Sequence, residues 1–215
     1  TFLAMSKDYL QEFTRMYKKF RVPFYCQTRA ETINEETVRH LSEMNCHSLS
    51  IGIEHGSEDF RYKLLKRRVS NKTYINAIKA LEQSNIMVSV NNMIGFPDET
   101  RHLVFDTINL NRQLSVYAHN AYYFTPYHGT PLREYCVEKG YISRDAQTVN
   151  ITKGTVLNMP QFTRDEIKGL IRTFTLYVKF PKDRYEEIGI AEKFTDEGNM
   201  MFKKLQQEFW QKYLK

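Results

Sequence analysis

The chain has 215 residues, 41% of them hydrophobic and 26% charged, which is enough apolar material for a sizeable core and excludes a disordered polymer. Its 31 basic and 25 acidic residues leave a formal charge of +6, spread too diffusely for a nucleic-acid groove but compatible with anionic small molecules. No run approaches the roughly 18 apolar residues of a spanning helix, and the start "TFLAMSKDYL" has no basic region followed by an apolar run, so the chain reads as cytoplasmic.

Residues 6–20 carry Tyr9, Leu10, Phe13, Met16, Tyr17 and Phe20 at helical spacing, and Pro23 then opens a strand, "PFYCQTRAE". The next helix, "NEETVRHLSEMN", has Asn34 as its N-cap and Val38, Leu41 and Met44 on one face. "SLSIGIEHGSE" is a strand that ends on Glu54 between Gly52 and Gly56. Residues 58–84 predict a charged helix or a pair of helices broken near Ser70 and Asn71, followed by the strand "IMVSVNNMIGFP". Residues 100–114 are helical, and "AHNAYYFTPYHGTP" gives a fourth strand and a turn. From Glu134 to about Met159 the pattern supports neither a helix nor a strand. Two amphipathic helices follow at 163–179 and 196–214, the first with a Thr163/Glu166 capping box. The last presents Phe202, Leu205, Phe209 and Tyr213 on one face and packs on its own domain rather than on a membrane.

Strands alternating with helices argue for parallel βαβ units. The expected fold class is α/β, with a boundary near residue 140 between an α/β body (1–140) and a mainly helical extension (141–215). Because the first element is a helix, crossover logic implies a strand before it. The strand at residues 23–29 would then lack a neighbour and would pair with another chain or be covered.

In parallel α/β folds functional groups gather at the carboxyl ends of the strands. Those ends carry Gln27 and Arg29, Glu54 and His55, Asn91 and Asn92 with the "GFPDET" turn, and Tyr127, His128, Gly129 and Thr130. This set suits a polar ligand bearing a carboxylate, an amine and a ribose. The six histidines show no paired metal-ligand spacing. Cys26, Cys46 and Cys136 lie far apart and read as reduced, buried thiols.

"SLSIGIEHGSE", "VNNMIGFPDET" and "YFTPYHGTPL", in this order and preceded by "CQTRAETI", resemble the later strands of the radical S-adenosylmethionine domain, most closely its cobalamin-associated branch. The resemblance covers roughly residues 1–135 and implies a partial parallel TIM-like barrel, truncated at its N-terminal strands. It places Glu54 against the ribose or amino group of S-adenosylmethionine, Arg67 on the methionyl carboxylate, Asn91 near the ribose hydroxyls, and the backbone of Tyr127, His128 and Gly129 beside the adenine. Arg29 would meet the same ligand or a substrate acid, and "GFPDET" would shape the floor. The family's activity is reductive cleavage of S-adenosylmethionine to a 5′-deoxyadenosyl radical that acts on a small-molecule substrate.

The family binds its [4Fe-4S] cluster through Cys-x3-Cys-x2-Cys on one short loop. Cys26, Cys46 and Cys136 cannot supply that spacing, so the cluster ligands are expected before Thr1 and this chain alone is expected to be inactive. The resemblance also admits cobalamin as a cofactor, with methylation or ring formation as the reaction. The rivals are a methylthiotransferase-like member and a non-catalytic module derived from the barrel.

Overall fold

The computed structural model describes residues 2–213. Helix α1 (Lys7–Tyr17) precedes strand β1 (Phe24–Thr28), a short 3-10 turn (Ala30–Thr32), helix α2 (Glu35–Glu43) and strand β2 (Cys46–Glu54). Helices α3 (Glu58–Leu65) and α4 (Asn71–Glu82) lead into β3 (Met87–Ile94), followed by α5 (Arg101–Asn111), β4 (Ala118–Tyr123) and α6 (Pro131–Glu138). The chain then forms α7 (Arg164–Lys179), α8 (Tyr185–Ala191) and α9 (Asp196–Tyr213).

The four strands form one sheet in the order β1-β2-β3-β4. β1 and β2 are parallel, as are β2 and β3. β4 runs the same way along β3, with Tyr117 N donating to Val88 O (2.8 Å) at one end and Phe124 N to Ile94 O (2.8 Å) at the other. The fold is therefore α/β with a parallel sheet flanked by helices, as expected of a partial TIM-like barrel. β1 stands at the sheet's edge.

Local signals set the helix starts. Asn34 and Thr163 each complete a capping box, with Thr37 and Glu166 respectively, satisfying two otherwise orphaned backbone donors. Ser57 and Ser70 cap α3 and α4, so the expected break near Ser70 is a helix start. The segment after Glu134 departs from expectation: α6 begins at Pro131 with Thr130 as its cap. α8 also lies where no helix was anticipated. Each is eight residues or fewer, too short for apolar periodicity to show.

The chain divides into two compact units, one of residues up to Asn92 with Leu110–Asn120, the other of Met93–Asn109 with the chain from Ala121 onward. In the first, Leu41, Met44, Leu49, Ile51, Ile53 and Val90 are essentially inaccessible and centre the core under α1, α2 and α4. Each such side chain contributes about 1.5–3 kcal/mol by leaving water. In the second, α7, α8 and α9 pack together. Leu205 of α9 is fully buried, the Tyr213 ring meets Phe180 edge-on and Phe209 at a tilt, and Tyr213 donates to Lys179 O at 3.0 Å. The last helix therefore spends its apolar face on its own unit.

Candidate functional site

β2 alternates strictly at its C-terminal half. Leu49, Ile51 and Ile53 are buried on one face, while Ser48, Ser50, Gly52 and Glu54 take the other. At the end of the strand the chain turns on Glu54, whose φ of 69° is left-handed. His55 N donates to Ile53 O across it (2.9 Å), closing a three-residue turn, and the register with β3 shifts between Gly52 and Glu54. A glutamate held this way stores local strain of the kind concentrated at functional positions. Gly52 makes the placement possible, because a Cβ there would come within 2.5 Å of Glu54 Oε1. The carboxylate thus folds back over its own strand.

Arg67 meets it. Lys66 ends α3 in the left-handed conformation (φ 54°), which turns the chain so that Arg67 N donates to Arg61 O at 3.2 Å. The Arg67 guanidinium then lies 3.5 Å from Glu54 Oε1 and 3.9 Å from Glu31 Oε2, with its carbon 5.8 Å from the centre of the Tyr74 ring. Glu54 and Arg67 side chains are 28% and 20% exposed, enough shielding to strengthen their attraction while leaving both open to a ligand. Burial pushes the Glu54 carboxyl above its ordinary value, and the nearby Arg67 charge opposes that shift.

The loop that presents this pair is locked by a residue that no motif singles out. Arg61 is fully buried and donates to His55 O, to Val69 O (2.7 Å) and to Asn71 Oδ1 (2.8 Å), with its guanidinium 5.1 Å from the Tyr74 ring centre. Asn71 in turn donates through its side-chain amide to Gly56 O (2.9 Å) and through its backbone N–H to Glu58 Oε1 (2.6 Å). Arg61 therefore ties the end of β2 to the start of α4 through neutral carbonyls. Burial lowers its pKa.

Asn91 lies opposite Gly52 in the β2–β3 register and faces the same side as Glu54. Its amide donates to Ser50 Oγ (2.8 Å) and accepts from Asn120 Nδ2 (3.0 Å). Asn92 corrects the sequence reading: it is fully buried on the opposite face and exchanges hydrogen bonds with Asn111 (3.1 and 2.8 Å), so it does not reach the rim. His55 is likewise fully buried, accepting from Ser57 N (3.0 Å) and stacking on Phe60. Arg29 is exposed where β1 ends and the 3-10 turn begins; the nearest part of the site to it in sequence is Glu31.

In the second unit, Tyr127, His128 and Gly129 are exposed on one tight turn. Gly129 has φ 77°, and Thr130 closes the turn by donating to Tyr127 O (2.7 Å) while capping α6. Arg133, 2% exposed, donates to Pro126 O (3.0 Å), Arg144 O (3.0 Å) and Ala146 O (2.6 Å). A second buried arginine thus pins a second post-strand loop. The "GFPDET" turn is built internally: Glu99, fully buried, accepts from the backbone N–H groups of Gly95 (2.5 Å) and Phe96 (3.0 Å). Burial would raise the neighbouring Asp98 carboxyl, but hydroxyls of Tyr135 and Tyr141 donating to it hold it below its usual range.

A resident iron-sulfur cluster does not fit these side chains. Cys26 and Cys46 are buried with sulfurs 4.0 Å apart, Cys136 is buried in the other unit, and no group of three or more His, Cys, Asp or Glu among the described residues could hold a metal.

A sequence profile of the Radical SAM superfamily matches residues 5–110. Through these residues the chain belongs to the radical S-adenosylmethionine superfamily. A protein named as an uncharacterized methyltransferase in Pyrococcus horikoshii is 27% identical over 159 residues, covering 74% of this chain and 34% of its own length. Among solved structures, the radical S-adenosylmethionine methyltransferase TsrM from Kitasatospora setae, bound to tryptophan substrate and a S-adenosylmethionine analogue, superposes with a TM-score of 0.54 at 16% identity, over 73% of this chain and 31% of that one. Elp3 of Methanocaldococcus infernus superposes with a TM-score of 0.56 at 15% identity, over 97% of this chain and 52% of its own. The radical SAM chain described here thus spans about a third of its curated relative's length. Among the described residues, no helix is long and apolar enough to cross a membrane.

Proposed function

We propose that this chain supplies the S-adenosylmethionine-binding half of a radical enzyme that methylates a small molecule, with residues 1–140 as the later part of its barrel domain and 141–215 as a helical extension. The observation that carries the reading is the pairing of Glu54 with Arg67 on the partly open face of β2. Once bound, S-adenosylmethionine supplies a sulfonium whose C–S bond is broken reductively. Arg67 holds its methionyl carboxylate, for which a guanidinium offers two parallel donors. Glu54 accepts from its ammonium or ribose, Asn91 reaches the ribose hydroxyls, and the turn at Tyr127, His128 and Gly129 borders the adenine. Arg29 faces the same ligand or a substrate acid. These residues bind, orient and shield; electron delivery falls to a [4Fe-4S] cluster whose ligands lie outside this chain.

Methyl transfer is favoured over ring formation by the names of two relatives, both methyltransferases. Cobalamin enters the proposal because TsrM has been solved with cobalamin and a [4Fe-4S] cluster bound. The edge strand at residues 23–29 is proposed to pair with a further strand, in the same protein or in a second copy.

The test is anaerobic calorimetry of S-adenosylmethionine binding to the full-length protein with its cluster reconstituted. Arg67→Ala is expected to weaken affinity by at least about tenfold, the scale of one lost charge-assisted pair. Unchanged affinity removes Arg67 from the site and the reading with it.

A further inference from the structure

Parallel strands covered on both faces read as near-continuous apolar runs. β2 and β3 break that pattern in the same way: while Leu49, Ile51, Val88 and Val90 are buried on one face, the other carries Ser48, Ser50, Ser89 and Asn91. The polar side chains line up across strands. Gln27 is registered with Ser50, Ser50 receives Asn91 (2.8 Å), and Asn91 receives Asn120 (3.0 Å), giving one row across all four strands. Ser50 itself is buried, Ser48, Ser89, Asn91 and Asn120 are half-buried, and Gln27 is exposed, so the row is reached through Asn91, Asn120 and Gln27.

From this row we infer the class of molecule that the enzyme acts on, resting on the S-adenosylmethionine reading above: the part of the substrate lying on the sheet is uncharged and both donates and accepts hydrogen bonds, as a primary amide or a nitrogen heterocycle does. The valences decide this. An asparagine amide has two N–H donors and two acceptor sites. Asn91 spends one of each on Ser50 and Asn120, and Asn120 spends one donor on Asn91, so both keep donors and acceptors in reserve. No ionisable side chain belongs to the row. The nearest charges, Glu54 at the end of β2 and Arg67 after α3, border the row at Gly52, where they neutralise one another and are already assigned to S-adenosylmethionine. With that pair committed, an anion or cation placed on the row would give up its hydration without an uncompensated counter-charge to meet it, whereas an amide would exchange water for equivalent partners.

Three flat probes of one size separate the possibilities: benzamide, benzoate and benzamidine, neutral, anionic and cationic at pH 7. Each is titrated into the full-length, cluster-reconstituted protein, with and without S-adenosylmethionine, and followed by ligand-observed NMR. Benzamide is expected to bind at least about tenfold more tightly than either charged probe. Asn120→Leu, which keeps the shape and removes the amide, is expected to erase that preference while leaving the affinities of the two charged probes unchanged. No benzamide binding, equal or tighter binding of benzoate or benzamidine, or a preference that survives Asn120→Leu overturns the inference. Failure of S-adenosylmethionine to bind the unaltered protein, with the benzamide preference present, would instead overturn only the cofactor assignment.

Discussion

Glu54 concentrates several constraints on one carboxylate. Its backbone is left-handed, its side chain occupies space that only a glycine at position 52 leaves open, and its charge is balanced by Arg67. Its raised pKa has two consequences of opposite sign. For folding, burial favours the neutral acid, so the stability this group contributes is present at low pH and is lost as pH rises from the unfolded value through the raised folded one. For binding, only the ionised form attracts an ammonium or sulfonium, so affinity for S-adenosylmethionine is expected to tighten as pH rises through that same range and then to level off. Calorimetry across pH checks this. Glu54→Gln is expected to flatten the profile; a variant that keeps the slope would place the titrating group elsewhere. The acid was legible in the sequence because two glycines and a strand end frame it. His55 and Asn92, its equals in the sequence, could not be sorted from it, because which face of a strand end points inward depends on how the turn closes.

The secondary-structure elements are held in register by arginines that act as staples. Arg61 joins the end of β2 to the start of α4, and Arg133 joins the loop after β4 to residues 144–146. A lysine in place of Arg61 offers a single ammonium where a planar fork reaches three acceptors. Arg61→Lys is therefore expected to cost about 2 kcal/mol locally, within the penalty for stranding buried acceptors. The readout is hydrogen exchange of backbone amides between residues 54 and 71 in the full-length protein, which is expected to accelerate; unchanged exchange would show that the loop is held by other contacts. No pattern in the sequence announces such staples, since their partners are main-chain carbonyls that any residue carries. Capping is the opposite case. Asn34 and Thr163 were readable because a cap and its partner lie three residues apart. α6 and α8 were missed because short helices offer too few turns for periodicity, although Thr130 and Pro131 mark the start of α6 in retrospect.

At the scale of the molecule, α/β order and the parallel sheet follow from alternating periods, and this much was visible in the sequence. What alternation cannot reveal is cross-strand register, which brings Ser50, Asn91 and Asn120 together from positions up to 70 residues apart. Thiol placement has its own consequence. With Cys26 and Cys46 in one unit and Cys136 in the other, this 215-residue chain incubated anaerobically with iron, sulfide, dithionite and S-adenosylmethionine is expected to yield no 5′-deoxyadenosine. Chromatographic detection of that product would mean that this chain can assemble a competent cluster.

The inner surface of the sheet has one further implication. A molecule settling there trades its hydration for amide and hydroxyl partners and hides little hydrocarbon, so the enthalpy of association stays nearly flat with temperature. Recognition of that kind draws its selectivity from geometry rather than from apolar contact, and its heat is the same in warm solution as in cold, so affinity falls steadily on warming.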